Sequence, residues 1–273
     1  MPETSLAADA TTAQAGRTVV VTGAARGIGA AIATRMAAEG ARVVVSDVDA
    51  AELSELAGRI GAIPIAADVS SDHGVTSLVD AALVELGSIE IFFANAGIAV
   101  ATDLSATTDA GWARAIDVNV LAHVRAARVL EPIWERQGGG RFVVTASAAG
   151  LLTILGDPSY AVTKHAAVAF AQWLCVTYRH RGVVVQAICP QGVQTRMLQA
   201  SGDLVELLSH DDALTPEQVA DTVARALGTQ EFFILPHPEV AAYAAARATE
   251  PDRWLDGMNK LQRKLETARG EQR

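Results

Sequence analysis

The stretch Thr18-Val-Val-Val-Thr-Gly-Ala-Ala-Arg-Gly-Ile-Gly29 decides how this chain is read. It opens with β-branched residues, as a short buried strand requires, and Ile28–Glu39 is an alanine-rich segment suited to a helix. Between them Gly23, Gly27 and Gly29 make a G-x-x-x-G-x-G turn with Arg26 inside it. Without side chains there, a phosphate can approach the backbone. The helix that follows turns its unpaired N–H groups and positive dipole end toward such a group. The spacing is not the G-x-G-x-x-G of the usual dinucleotide fingerprint, so a bare strand-to-helix turn is the competing reading. A second strand, Arg42–Ser46, ends in Asp47, about where an acidic side chain would meet an adenosine ribose. Asp47 also suits the N-cap of a helix starting near Ala50, and the two roles can coexist.

The chemistry lies farther along. Tyr160 and Lys164 stand one helical turn apart, thirteen residues beyond Ser147, and residues at i and i+4 share a helix face. A free phenol has a pKa of about 10, too high for a base at neutral pH, and a fixed ammonium beside it is expected to lower that value. Such pairs also arise by chance. Here, however, there are only three lysines, and Lys164 is the only one before the C-terminal segment. It lies within Ala161–Phe170, otherwise a buried helical pattern, which makes a snorkelling surface lysine the weaker reading.

Taken together, the motifs resemble the short-chain dehydrogenase/reductase family of the single-domain kind, from about Arg17 to about Pro236. The resemblance rests on Thr22–Gly29, Asp47, Asp68-Val69 after a third strand, Asn95-Ala96-Gly97 after a fourth, Asn119, and Ser147 with Tyr160 and Lys164. It implies a Rossmann-type three-layer α/β sandwich, with a seven-stranded parallel sheet and helices on both faces, binding NAD(H) or NADP(H) for alcohol–carbonyl chemistry. Tyr160 would be the general acid/base, Ser147 would bond the substrate oxygen, and Lys164 would hold the nicotinamide ribose and tune the phenol. Asn119 would hold a water linking Lys164 to solvent, although an asparagine within a helix can also simply brace backbone. The cofactor residues implied are Gly23, Arg26, Gly27, Ile28, Gly29, Asp47, Asp68, Val69, Asn95, Ala96 and Gly97, with Tyr160 and Lys164.

One motif departs from the family. Pro190-Gln191-Gly192-Val193-Gln194-Thr195 keeps Pro190, Val193 and Thr195 in register for the nicotinamide carboxamide, but Gln191 stands where glycine is usual. Arg196–Leu214 is expected to be a flexible substrate loop. It offers Met197 and Leu198 to a pocket also lined by Ala149, Leu151 and Thr153, which points to an apolar ketone or secondary alcohol. Asp47 and Arg26 conflict over the cofactor, since the first repels a ribose 2′-phosphate and the second could attract one. A like-charge clash in a partly desolvated pocket outweighs one arginine free to turn away, so NAD is expected over NADP.

Composition is consistent with this reading. Half of the 273 residues are apolar and 5% aromatic, so the core is built from small aliphatic side chains. A net charge of −9 argues against nucleic-acid or anionic-membrane surfaces. Cys175 and Cys189 read as reduced, buried residues, no metal site is expected, and Met1–Gly16 lacks the basic start and apolar block of a secretory signal. A cytoplasmic location is therefore expected. His165 points away from Lys164's helix face, and His237 reads as a turn residue.

Strands are predicted at Thr18–Val21, Arg42–Ser46, Ile63–Ala67, Glu90–Ala94, Arg141–Ser147, Val183–Cys189 and Phe232–Leu235, with long helices at Ala110–Arg136 and Tyr160–Arg181. Residues 1–16 read as a mobile tail, 17–236 as the dinucleotide-binding catalytic domain, and 237–273 as a C-terminal helical extension of it. Both long helices are apolar on more than one side, with Ala161, Ala167, Val168, Phe170, Ala171 and Leu174 on the second. The resemblance implies that a second copy covers them, so a homo-oligomer, a tetramer with its main interface on these two helices, is expected. Trp254 and Met258 in the extension are further candidates for subunit contact. Two other classes compete with a dehydrogenase: a dehydratase or epimerase on the same fold, and a nucleotide-sensing protein without turnover. The first usually carries a longer substrate domain, and the second would not need Asn119, Ser147, Tyr160 and Lys164 together.

Overall fold

A computed structural model describes residues 13–100, 104–200 and 213–271. Strands and helices alternate: β1 (Thr18–Thr22), α1 (Gly27–Ala38), β2 (Arg42–Asp47), α2 (Ala50–Ile60), β3 (Ile63–Ala66), α3 (Asp72–Leu86) and β4 (Ile91–Ala94). Then follow α4 (Asp109–Ile116), α5 (Ala122–Gln137), β5 (Gly140–Thr145), α6 (Pro158–Tyr178), β6 (Val183–Ile188), the short α7 (Arg196–Gln199), α8 (Pro216–Ala226) and β7 (Phe233–Ile234). Two helices, α9 (Glu239–Thr249) and α10 (Pro251–Glu271), close the described chain. The strands form one parallel seven-stranded sheet in the order β3-β2-β1-β4-β5-β6-β7. Strand order reverses between β1 and β4, and the crevice beyond their C-terminal ends is where open α/β sheets bind ligands.

Both faces of the sheet are covered, which explains strands apolar at nearly every position. Val19, Val21, Val43 and Val45 pack with α1, α2 and α8, including Ile32, Met36, Leu53 and Val223. Val20, Val44, Phe92 and Phe142 face α3, α5 and α6, where Phe142 stacks on Phe92 at 5.7 Å and meets Trp134 edge-on at the same distance.

Several expectations shift. The predicted helix Ala110–Arg136 divides into α4 and α5 around a π-helical turn, Asp117–Leu121, whose cause lies in the site. Within the expected tail, Ala13–Gly16 forms a turn, Gln14 is buried, and the Gly16 N–H bonds the Gly40 carbonyl at 3.0 Å. Residues 1–12 lie outside the described residues. So does most of the expected substrate loop, whose start is the short helix α7. Among the described residues no helix is long and apolar enough to cross a membrane.

Candidate active site

The glycine turn is built tightly. A Cβ on Gly23 would lie 2.7 Å from Ala96 Cα, and one on Gly29 would overlap the Gly23 carbonyl and reach 2.5 Å from Asn95 Nδ2. Asn95 gives its amide to the Thr22 and Gly23 carbonyls at 2.9 and 3.1 Å. The Thr22 hydroxyl accepts the Asn95 and Ala96 N–H groups and donates to the Phe93 carbonyl. Asn95 and Ala96 therefore seam β4 to β1. The first turn of α1, holding Gly27, Ile28 and Gly29, has no side-chain cap and no acidic residue, so its N–H groups remain available to an anion. Thr195 arches over this cradle, with its Cγ2 3.3 Å from where a Gly27 Cβ would be.

Asp47 ends β2 beside the turn, accepting the Ala25 and Asp49 N–H groups at 3.1 Å each. The N-cap of α2 is Asp49, whose carboxylate accepts the Glu52 N–H, so the alternative role weighed for Asp47 belongs two residues later. Arg26 turns away from the cradle, its guanidinium bonded to Asp49 at 2.7 Å and Glu52 at 2.9 Å. Asp68 accepts the Ser70 N–H at 2.9 Å, and the hydrogen bonds from Ser70 hold its carboxyl below the usual range. Val69 is buried in the core.

Ser147 leaves β5 in extended geometry and caps the 3-10 turn Ala148–Gly150 by accepting the Ala149 N–H at 3.1 Å. The Pro190 carbonyl accepts the Ala148 N–H at 2.8 Å and the Ser147 hydroxyl at 3.5 Å, which joins this turn to the segment after β6. Tyr160 lies in the first turn of α6, half-buried, with its phenol close enough to Ser147 for the hydroxyl to lower its pKa. Lys164 is buried one turn on, its Nζ 2.9 Å from the Thr145 carbonyl and 5.5 Å from the centroid of the Tyr160 ring. Two of its three N–H donors stay open for other partners. Gly97 makes room for it: a Cβ there would stand 3.2 Å from Lys164 Nζ and 3.4 Å from Asn119 Oδ1.

Asn119 explains the π-helical turn. Fully buried, it accepts the Ile98 N–H at 2.8 Å and gives its amide to the Ile98 carbonyl at 2.9 Å and Thr163 at 3.0 Å. The widened turn accompanies this three-way attachment, as single π-turns often do at functional sites. Asn119 thus links the segment after β4 to the helix of Tyr160 and Lys164. These contacts are those of a brace between the two segments.

Burial pushes the Tyr160 phenol above its ordinary 10.0, against a lowering by the Ser147 hydrogen bond, with Asp157 and Cys189 adding to the rise. Burial likewise brings Lys164 down to about 8. Desolvation is the largest influence on both groups. Cys189 at the end of β6 is buried, and desolvation pushes its thiol up to about 12. Both cysteines are free.

Three supporting residues escaped the sequence reading. Asp157 caps α6, accepting the Tyr160 N–H at 2.9 Å and the Ser159 hydroxyl at 2.7 Å, while its other oxygen takes the Val100 N–H. The signal was present in Asp157-Pro158, an N-cap before proline at the first helical position. His237 is buried rather than a simple turn residue, and its Nδ1 accepts the Gln191 N–H at 3.2 Å. This settles how the altered motif is held: Gln191 bonds His237, and Val193, buried, bridges to Leu214. Arg247 in α9 donates to the Leu151 carbonyl at 2.7 Å and lies over Trp254. Of the expected pocket residues, Ala149 is buried, Leu151 is tied to Arg247, and Thr153 faces a cavity of about 590 Å³ shared with α6, α9 and α10. Met197 and Leu198 lie on α7.

A cradle without side chains, an uncapped helix and a lysine with open donors fit a dinucleotide. The fold and this constellation define a nicotinamide-dependent oxidoreductase of alcohols and carbonyls. Over residues 17–204 the sequence matches the short chain dehydrogenase family, and the chain belongs to it. It is 35% identical over 228 residues to 1-deoxy-11-beta-hydroxypentalenate dehydrogenase of Streptomyces exfoliatus, covering 80% of this chain and 82% of the relative. With 2-(R)-hydroxypropyl-CoM dehydrogenase of Xanthobacter autotrophicus it shares 31% over 218 residues, 77% of this chain and 87% of the other. A short-chain dehydrogenase/reductase structure from Burkholderia phymatum in complex with NAD has a TM-score of 0.81 at 29% identity, covering 87% of this chain and 95% of that one. The 3-ketoacyl-(acyl-carrier-protein) reductase structure from Brucella melitensis complexed with NADH gives 0.75 at 25%, covering 81% and 95%.

Proposed function

We propose that this enzyme interconverts an apolar secondary alcohol and its ketone using NAD(H), with Tyr160 as general acid/base. The observation that carries this is the buried Lys164 ammonium, 5.5 Å from the Tyr160 ring centroid, with Ser147 next to the phenol and a phosphate cradle alongside. NAD(H), when bound, supplies or accepts the hydride. Gly23, Gly27, Ile28 and Gly29 would hold its phosphates, Asp47 a ribose, Asn95-Ala96-Gly97 and Lys164 the nicotinamide side, and Pro190, Val193 and Thr195 the carboxamide. A phenol with a raised pKa bears its proton at neutral pH, so Tyr160 stands ready to protonate a ketone oxygen. In the reverse direction it takes the alcohol proton, and Ser147 shares the charge developing on that oxygen. NAD is favoured over NADP because Asp47 stands at the end of β2 and Arg26 is already paired. Tyr160→Phe removes only the ionisable hydroxyl. Turnover should fall by about 10²–10⁴ while NADH still binds, and retention of more than about a tenth of kcat would refute the role.

The chain is taken to work in the cytoplasm as a homo-oligomer, a tetramer. Most residues expected on a second apolar face of α6 are buried within one chain: Ala161, Ala167, Val168, Ala171 and Leu174. A different stripe lacks cover, with Val162 53%, Trp173 57% and Val176 83% exposed. Such a stripe is what a second copy would bury. Trp254 packs under Arg247 of its own chain and is a weaker contact candidate. Light scattering at micromolar concentration should give a multiple of 28.5 kDa, and a stable monomer would reject the interface.

A further inference from the structure

Arg26 is the basic side chain of the glycine turn, the kind of group that could pair with a ribose 2′-phosphate, yet its guanidinium is occupied. Its Nη2 bonds Asp49 Oδ2 at 2.7 Å and its Nε bonds Glu52 Oε2 at 2.9 Å. Two nitrogens held by two carboxylates fix a planar guanidinium in orientation as well as position. Both acids come from the start of α2, and the backbone orders them: Asp49 is the N-cap and bonds the Glu52 N–H through its other oxygen. The remaining oxygen of Glu52 takes Arg196 at 2.8 Å, at the start of α7. Around the start of α2, then, two guanidinium groups are paired with two carboxylates, Asp49 and Glu52, while the Asp47 carboxylate beside them accepts backbone N–H groups.

We propose that Asp49 and Glu52 are cofactor-specificity residues: by holding Arg26 between them they withhold it from a ribose 2′-phosphate. The inference rests on the reading of NAD as the cofactor and deepens it. Asp47 supplies direct repulsion, and the Asp49–Glu52 pair removes the attraction that would offset it. Because these ion pairs are partly solvated, each holds Arg26 only modestly, and both must be broken to release it.

The test is direct binding of NADH and NADPH to the full-length enzyme, read from nicotinamide fluorescence, in wild type, D49N, E52Q and D49N/E52Q, each with and without R26A. Asparagine keeps the α2 cap and glutamine keeps the side-chain shape, and an unchanged NADH Kd in the double variant reports an intact cradle. D49N/E52Q should tighten NADPH binding on the order of 5- to 10-fold, with smaller gains in the single variants. Adding R26A should return the NADPH Kd to within about twofold of wild type. A double variant with no gain for NADPH overturns the proposal while leaving the NAD reading intact. A gain that survives R26A also overturns it, because lost negative charge alone would then account for the effect. A wild type that binds NADPH as tightly as NADH overturns the NAD reading and this proposal together.

Discussion

His123, in the first turn of α5, is 1% exposed and borders a void of only about 10 Å³ with Thr22, Phe92 and Ala96. Among the described residues neither ring nitrogen meets a side chain or carbonyl in hydrogen-bonding geometry. Burial, and then the nearby Lys164 charge, push the imidazole down from 6.5 to about 3, opposed only weakly by the Ala96 backbone. The folded protein therefore refuses a proton that the unfolded chain accepts. Stability should be fully present above the unfolded value of about 6.5 and be lost progressively as the pH falls toward 3. The linkage amounts to about 1.4 kcal/mol per pH unit over that window, or about 2 kcal/mol between pH 7 and pH 5. His123→Leu removes the titration and keeps an apolar side chain of similar bulk. Urea denaturation of both proteins from pH 7 to pH 5 should show the wild type losing about 2 kcal/mol more than the variant. Parallel stability curves, within about 0.5 kcal/mol, would refute the argument that an unbonded, buried imidazole governs the acid limb.

Gly97→Ala places a methyl group 3.2 Å from Lys164 Nζ, so the ammonium must move; NADH binding should weaken about tenfold with thermal stability little changed, and an unaltered Kd would show that the ammonium position tolerates the shift. Asp157→Ala removes the cap of α6 and the acceptor of the Tyr160 N–H; it should cost about 1–2 kcal/mol in denaturation and lower kcat more than it weakens NADH binding, whereas a loss of stability alone would leave Asp157 with no part in placing the phenol.

Local signals told most of the fold. Each predicted strand is present within about two residues, since period and β-branching are properties of short windows. Several candidate site members lie where a strand ends or a helix opens, as Asp47, Ser147 and Tyr160 do. What escaped depends on partners distant in the chain. Nothing near Gln191 shows that His237 will accept its N–H, nor does Leu151 announce Arg247 from 96 residues away. The π-turn was missed because Asn119 is called out of regular helix by Ile98 and Thr163, not by its neighbours. The electrostatics were hidden from the sequence for a related reason. Spacing showed that Lys164 and Tyr160 share a face, but desolvation depends on everything packed around them.

The Thr22 hydroxyl has a consequence for how the enzyme meets its cofactor. One oxygen bonds Phe93, Asn95 and Ala96, and the Asn95 amide returns to the carbonyls of Thr22 and Gly23. The lips of the crevice are thereby tied at a set separation before any ligand arrives. Preorganisation of this kind confines the entropic cost of binding to other parts of the cleft. The floor on which the dinucleotide would lie is thus held by the same hydrogen bonds that join β1 to β4.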